Sequence, residues 1–364
     1  MIIHVFDFFA GCGGTSCGFK DAGLQLKYAL DNDPDSKETF EHNLGKEVHF
    51  ELADIRYVVS SLQDEGNSLR TRIEQVKNTP GNYILFCGCA PCQPFTRQNT
   101  SARMDDPRRV LLYDFMELIR EFRPDLIFVE NVPGIQKVQG KGGPFDALIN
   151  LLNKMNYKSD PKIVAAQQYG VPQKRRRLIL IASQLGPITH PRPTHGPGTD
   201  NIEYSTVENW IKGLPKISAG EIDSNDAMHR SANLSPTNLL RIQAIDQGQS
   251  RMDWPEELKL DCHSNGYDGH TDVYGRMWWG EPATGLTTRC ISLSNGRFGH
   301  PDQDRAISIR EAALLQTFPG DYTFKGSLAS MARQIGNAVP VLLAQRFGEH
   351  FLKHVAQHQE RQTT

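Results

Sequence analysis

The sequence predicts an α/β fold of the doubly wound, Rossmann-like kind, with a smaller, irregular domain inserted before the C-terminal segment. Three observations predict it. Short apolar runs alternate with stretches of helical spacing from His4 to Ala182. The first run, His4 to Phe9, enters a glycine-rich turn, Ala10-Gly11-Cys12-Gly13-Gly14, and the second run ends in an acid, Asp31, twenty residues after Gly11. From Gly186 to about Gln303 the texture changes: proline and glycine rise, strands shorten, and half of the twelve histidines appear.

Each element follows from local signals. The glycine turn feeds a short helix that closes near Gly23. Glycines there let the backbone take positive φ and approach a ligand closely. The second strand runs from Leu26 to Leu30, and Asp33-Pro34 then reads as an N-cap followed by proline in the first helical position. A third apolar segment, Val48 to Leu52, precedes Asp54-Ile55. Gly66 to Pro80 reads as a polar connection. Tyr83 to Cys87 is a strand that breaks at Gly88-Cys89-Ala90-Pro91 and presents Cys92 at the tip of a turn. The loop Gln93 to Arg109 carries Arg97, Arg103, Arg108 and Arg109 against Asp105 and Asp106, and Val110 to Phe122 alternates at helical spacing. Asp125 to Val129 is a buried strand ending at Glu130-Asn131-Val132. Four cations, Lys174 to Arg177, run straight into the strand Leu178 to Ala182, which is costly unless they face an anion. Ser308 and Glu311 form a capping box for a helix over Arg310 to Thr317. Gln334 to Pro340 precedes an amphipathic helix to about His354, and the polar tail from Gln357 is expected to fray.

Composition narrows the class. The chain of 364 residues is long enough for two domains, and its 23% charged and 38% hydrophobic residues are ordinary for a globular protein. No apolar run approaches a membrane span, and Met1 to His4 leads into a strand without the pattern of a secretion signal. Seven cysteines, three of them crowded at Cys87, Cys89 and Cys92, fit reduced thiols better than a disulfide framework. The Cys-x-Cys-x-x-Cys spacing lacks a matching His/Cys pair nearby, so no metal site is expected. Net charge is −2, so any nucleic-acid binding rests on local patches. The insertion, 186–303, holds 10 Lys+Arg and 15 Asp+Glu, while the remainder holds 30 and 27. A recognition module is expected to be the basic one, and this is the reverse.

Several of these stretches, in order, resemble the motifs of the DNA (cytosine-5) methyltransferases: Phe9 to Gly14, Asp31, Asp54, Pro91-Cys92-Gln93, Glu130-Asn131-Val132, Gln173-x-Arg175-x-Arg177, Arg310 to Pro319, and Gly336-Asn337-x-Val339. The resemblance spans nearly the whole chain. It implies an S-adenosylmethionine-dependent methyltransferase domain over 1–185, a target-recognition domain over 186–303 and a return to the first domain over 304–364. It implies S-adenosyl-L-methionine as methyl donor, released as S-adenosyl-L-homocysteine. The donor's expected contacts are Phe9, Gly11, Gly13, Asp31 on the ribose, Asn32, Asp54 on the adenine, Ile55, Pro91, Leu111, Asn337 and Val339. Many relatives place Trp where this chain has Asn32, which moves the stacking role toward Ile55. Thr96 stands where Ser is common and keeps the hydroxyl.

The chemistry that the resemblance implies is specific. Carbon 5 of cytosine is too weak a nucleophile until a thiolate adds at carbon 6. Cys92 is the expected thiolate, with Cys89 as its competitor on the same turn. Glu130 is expected to serve N3 of the base, Arg175 to bond O2 and orient Glu130, and Arg177 to support the pocket or contact phosphate. The partner implied is double-stranded DNA, with the target base flipped out. Gln93, Thr96, Arg97, Arg103, Arg276, Arg289 and Arg297 are the candidate DNA contacts. A monomer in the bacterial cytoplasm, paired functionally with a restriction endonuclease, completes the expectation. The alternative within the family is a tRNA cytosine-5 methyltransferase, which the long insertion disfavours. A DNA-binding module without turnover leaves Cys92, Glu130 and Arg175 without a purpose. A nicotinamide oxidoreductase rests only on the glycine turn and Asp31, and an N6-adenine methyltransferase lacks its Asp/Asn-Pro-Pro-aromatic motif.

Overall fold

The structure is a computed structural model that describes residues 1–90, 111–135, 143–260 and 269–363. Its chain divides into two compact units. The first comprises Met1–Ala165, Arg176–Arg192 and Leu343–Thr364, and the second Ala166–Arg175 and Pro193–Leu342. The boundaries therefore fall away from 185/186 and 303/304: residues 304–342, expected with the first domain, pack with the second, as does the short stretch 166–175.

The first unit is a seven-stranded sheet with helices on both faces. Its elements begin with β1 (Ile2–Phe8), α1 (Gly14–Asp21), β2 (Gln25–Asp31), α2 (Pro34–Leu44), β3 (His49–Leu52), α3 (Ile55–Ser60) and α4 (Ser68–Lys77). They continue with β4 (Asn82–Gly88), α5 (Leu111–Phe122), β5 (Leu126–Asn131), α6 (Pro144–Lys154) and β6 (Lys158–Ala165). In the second unit lies β7 (Gln173–Lys174), and the chain returns to the first as β8 (Arg176–Ser183). The sheet order is β3-β2-β1-β4-β5-β8-β6, parallel through β5 and antiparallel at β8 and β6. The order reverses between β1 and β4, which sets the ligand crevice of such folds at the carboxyl ends of those strands.

Alternation along the strands builds two cores. Phe6, Phe8, Tyr28, Phe86, Ile127 and Val129 face α3 to α6 in one cluster. On the other face Phe19 of α1 packs edge-on to Phe128 of β5, and the chain's last helix closes over both through Phe347 and Phe351. The α4 helix occupies what reads as a polar connection. Leu69, Ile73 and Val76 line one buried stripe of it, and Asn67 caps it through the Arg70 N–H. Neither α6 nor β6 was expected. β6 is an edge strand carrying Pro161, whose missing N–H is tolerated because only β8 pairs with it.

The second unit is irregular. It contains α7 (Val207–Ile211), α8 (Pro236–Gln243), β9 (Ala283–Thr284), α9 (Ile309–Leu315) and α10 (Leu328–Asn337). β7 and β9 pair over two residues each. A local core gathers Ile242, Ile245, Trp254, Leu293 and Ala306. The capping box at Ser308 forms as read: its hydroxyl accepts from the Glu311 N–H, and the Glu311 carboxylate accepts from the Ser308 N–H. The last helix, α11 (Val341–Thr363), stays helical through the polar tail. Among the described residues no helix is long and apolar enough to cross a membrane.

Candidate active site

The glycine turn and Asp31 meet at the crevice. Ala10 donates to the Leu30 carbonyl at 2.9 Å, and the Gly11 N–H donates to Asp31 Oδ2 at 2.8 Å. Asp31 Oδ1 accepts from the Asp33 N–H at 3.0 Å, so the carboxylate is fixed from two sides. Burial pushes its pKa up, while the backbone donors of Asp33 and Gly11 act against that rise. Phe9 holds φ 67°, Gly11 φ 52° and Gly13 φ 91°. A left-handed non-glycine residue such as Phe9 is strained, and strain of this kind gathers at ligand sites. A Cβ at Gly11 would meet nothing within 4 Å, so the turn has open space on its side-chain side. A bound nucleoside cofactor needs an acid fixed at ribose distance from a bare backbone turn. Asp31 and Gly11 supply both, and the residues fit such a group.

Below the turn, Asp7 of β1 is fully buried and accepts from the Ser16 hydroxyl of α1 at 2.6 Å. Burial raises its pKa to about 7, against the Ser16 hydrogen bond and with a smaller push from Asp31. Nothing in the sequence reading singled out this acid.

Asp54 has local work. It caps α3 through the Arg56 N–H and grips the Arg56 guanidinium at 2.8 and 2.7 Å. Those Arg56 bonds hold its pKa below the usual carboxylate range. Ile55 and Leu111 are buried in the apolar core of the unit, and Asn32 is exposed. Asn337 is exposed and Val339 buried, both in the second unit.

At the carboxyl end of β5, the Glu130 carboxylate meets Arg177 of β8, with Nε 2.7 Å from Oε1. The separation is that of an ion pair, yet Oε1 is buried and receives no directed hydrogen bond. β4 and β5 are parallel neighbours with Gly88 opposite Val129, so the end of β4 lies beside Glu130. The Asn131 amide donates to the Ala90 carbonyl at 3.2 Å, tying that strand end to Glu130-Asn131. Cys89 sits in this environment. Burial first, and then the Glu130 and Asp7 charges, push its thiol well above the ordinary value. A thiol so hard to ionise is a poor nucleophile. Pro91, Cys92, Gln93, Thr96, Arg97 and Arg103 lie outside the described residues.

The run of cations resolves one residue at a time. Arg177 pairs with Glu130, and Lys174 with the exposed Glu281. Arg175 is buried in the second unit and donates to the carbonyls of Leu286, at 3.0 Å, and Gly336, at 3.1 and 3.2 Å. Gln173, fully buried, bonds Gln316 at 2.9 Å and accepts from the Leu286 N–H at 2.9 Å, and Gln316 in turn bonds the Ile335 and Ala338 carbonyls. These amide side chains hold the motif in register, a role that spacing alone does not reveal.

Two expected DNA contacts are corrected. Arg276 is buried, donates to the carbonyls of Ile242, Ile245, His300 and Gln303, and pairs with Asp304. Arg297 is buried likewise and saturates the carbonyls of Gly248, Gln249 and Arg276 together with the Asp272 carboxylate. Guanidiniums committed this way stitch irregular backbone together rather than reach outward to base edges. Arg289 is exposed.

Fold and site together define a Rossmann-like α/β protein with a glycine turn held to an acid at the sheet's crevice and a carboxylate–guanidinium pair at the neighbouring strand end. Residues 3–353 match the family model described as C-5 cytosine-specific DNA methylase, and the chain belongs to that family. It is therefore an enzyme of the DNA (cytosine-5) methyltransferase class, whose family uses S-adenosylmethionine. The chain is 38% identical to the type II methylase M.HgiDII of Herpetosiphon aurantiacus, over 100% of this chain and 98% of that protein. It is 30% identical to the type II methyltransferase M1.HphI of Haemophilus parahaemolyticus, over 97% and 87%. Among solved structures it resembles a putative DNA modification methyltransferase encoded within a prophage (E. coli). That match has a TM-score of 0.69 and 22% identity, and covers 97% of this chain and 99% of the other. A Spodoptera frugiperda DNMT2 mutant matches with a TM-score of 0.61 and 17% identity, over 97% and 99%.

Proposed function

We propose that this protein is the modification enzyme of a type II restriction-modification pair, methylating carbon 5 of cytosine within one short duplex sequence. The observation that carries the reading is the Glu130–Arg177 pair beside the end of β4, the strand that runs on toward Cys92. Membership of the family and the named relatives support it.

Cys92 adds as thiolate to carbon 6 of a cytosine extruded from the helix, turning the ring into an enamine nucleophilic at carbon 5. Glu130 holds a proton at N3, where negative charge develops. Arg177 keeps the Glu130 carboxyl oriented. Donors placed this way are worth about 3 kcal/mol each in comparable sites. S-adenosylmethionine, when bound, supplies the electrophilic methyl group. Gly11 and Gly13 would flank its methionine end, Asp31 would take its ribose hydroxyls, and Asp54 would contact its adenine. Loss of the carbon-5 proton then lets Cys92 leave. Gln93, Thr96, Arg97, Arg103 and Arg289 contact DNA.

Bisulfite sequencing of DNA from cells expressing the protein tests this reading. One short protected motif, lost on Cys92→Ala, is expected. Absence of any protected motif, or transfer of label to tRNA rather than duplex DNA, would overturn it.

A further inference from the structure

The glycine turn is closed at its base by one side-chain bond. Between Asp7 and Ser16 lie the left-handed positions Phe9, Gly11 and Gly13, and the Ser16 hydroxyl reaches back to Asp7 Oδ2 at 2.6 Å. On its other side the turn is held by Asp31, through the Gly11 N–H at 2.8 Å. Two carboxyl groups thus grip one turn, and their surroundings differ. Asp31 accepts from two backbone N–H groups, those of Gly11 and Asp33. Asp7 accepts from one hydroxyl, and its second oxygen, Oδ1, is buried with no hydrogen-bond partner.

A buried carboxylate so sparsely bonded is costly to keep charged. The groups that act on Asp7 do little to relieve it. From β2 comes Asp31, of like charge, and from β4 come the thiols of Cys87 and Cys89, which burial holds in the neutral form. From α1 comes the Ser16 hydroxyl. Burial therefore pushes the Asp7 carboxyl up to about 7. A positive charge seated over the turn favours the ionised form and opposes that rise. S-adenosylmethionine carries such a charge on its sulfonium sulfur, and S-adenosylhomocysteine, one methyl group smaller, does not.

We propose that Asp7 is a charge-discriminating residue of the donor site, giving up its proton to solvent when the cationic donor occupies the turn and taking one back when the product, neutral at sulfur, replaces it. The inference rests on the reading above that sets the donor's methionine end at Gly11 and Gly13. Asp7 acts from beneath the turn, by its field rather than by contact. It lets the site prefer donor over product, two molecules of nearly the same shape that differ in charge at one atom.

Calorimetric titration of the whole protein with each molecule, in two buffers of different ionisation enthalpy, tests the inference. At pH 6.5 the α-amino groups of both ligands stay largely protonated, so released protons come from the protein. Wild type is expected to release a few tenths of a proton with S-adenosylmethionine and fewer with S-adenosylhomocysteine. Asp7→Asn, which keeps an acceptor for Ser16 and cannot ionise, should lose that difference. At pH 8 the ratio of product Kd to donor Kd should fall about fivefold in Asp7→Asn, the scale of one charge felt through protein. At pH 5.5 the two proteins should agree. A merely structural Asp7 would move both Kd values together and leave their ratio unchanged. Equal proton release with the two ligands in wild type, or an unmoved ratio at pH 8 in Asp7→Asn, would overturn the inference and leave the methylation reading intact. The wild-type measurement decides even if the variant folds poorly. A wild type that binds neither ligand would remove the donor-site reading itself.

Discussion

Arg177 and Glu130 face each other from adjacent antiparallel strands, β8 and β5, with Nε 2.7 Å from Oε1. The pair is mostly buried, with side chains 18% and 10% exposed, so it is screened less than a surface pair. Register explains it: Glu130 stands opposite Ile179, which brings the start of β8 to the carboxyl end of β5. Arg177→Ala is expected to lower kcat at least tenfold with little change in the Kd for S-adenosylmethionine, measured by single-turnover methylation and calorimetry. Equal loss in both would point to general unfolding.

Asp31→Ala removes the acceptor of the Gly11 N–H and the fixed acid of the crevice together. The Kd for S-adenosylmethionine should rise by roughly 2 kcal/mol or more, about thirtyfold, since hydrogen bonds to charged groups contribute about 1.5–3 kcal/mol. Asp31→Asn keeps one acceptor and should lose less. Calorimetric titration distinguishes the two.

Gly336 lies against backbone: a methyl group there would overlap the Thr287 carbonyl. Gly336→Ala must shift either segment, and both flank the carbonyls that hold Arg175. A cost of about 1–3 kcal/mol is expected from overpacking, read as a lower midpoint in urea.

Arg276→Ala should behave as a structural lesion. Its guanidinium satisfies four carbonyls, and losing it leaves those groups buried without donors. A loss of about 3 kcal/mol or more in stability is expected, with the protected DNA motif unchanged among the molecules that fold. A changed motif at unchanged stability would return Arg276 to the base-reading role.

Asp7 sets a pH dependence. Its folded pKa is about 7, above the ordinary 3.8, so the folded state holds the extra proton between those values. Stability from this group is therefore full below about 4 and is lost as pH rises toward 7 and just beyond. Asp7→Asn keeps an acceptor for the Ser16 hydroxyl and cannot ionise. It should match wild type near pH 4 and exceed it at pH 8, by up to on the order of 3–4 kcal/mol. Denaturant midpoints across that range give the difference directly.

What the sequence could reveal follows local grammar. Gly11 and Asp31 were legible because one βαβ unit fixes their separation, and the structure joins them with one hydrogen bond. Ser308 and Glu311 were legible because a capping box is written in four consecutive residues. Arg276 and Arg297 were not, since the fate of a cation depends on which carbonyls an irregular chain leaves unmet, and those come from residues up to 49 positions away. α4 was hidden by its charged outer face, although Leu69, Ile73 and Val76 keep helical spacing. Cys92, the residue on which the chemical reading turns, lies outside the described residues.

The first unit is assembled from three separate stretches, and α11 supplies its last wall: Phe347 and Phe351 against Phe128 and Phe19, and His354 bonded to Ser183 at 2.8 Å. On the ribosome, a chain synthesised from its N-terminus must therefore leave that face only partly covered, by α1, while the 150 residues of Pro193–Leu342 emerge. Chaperone demand during synthesis, and sensitivity to deletions that remove Phe347 and Phe351, follow from that late closure.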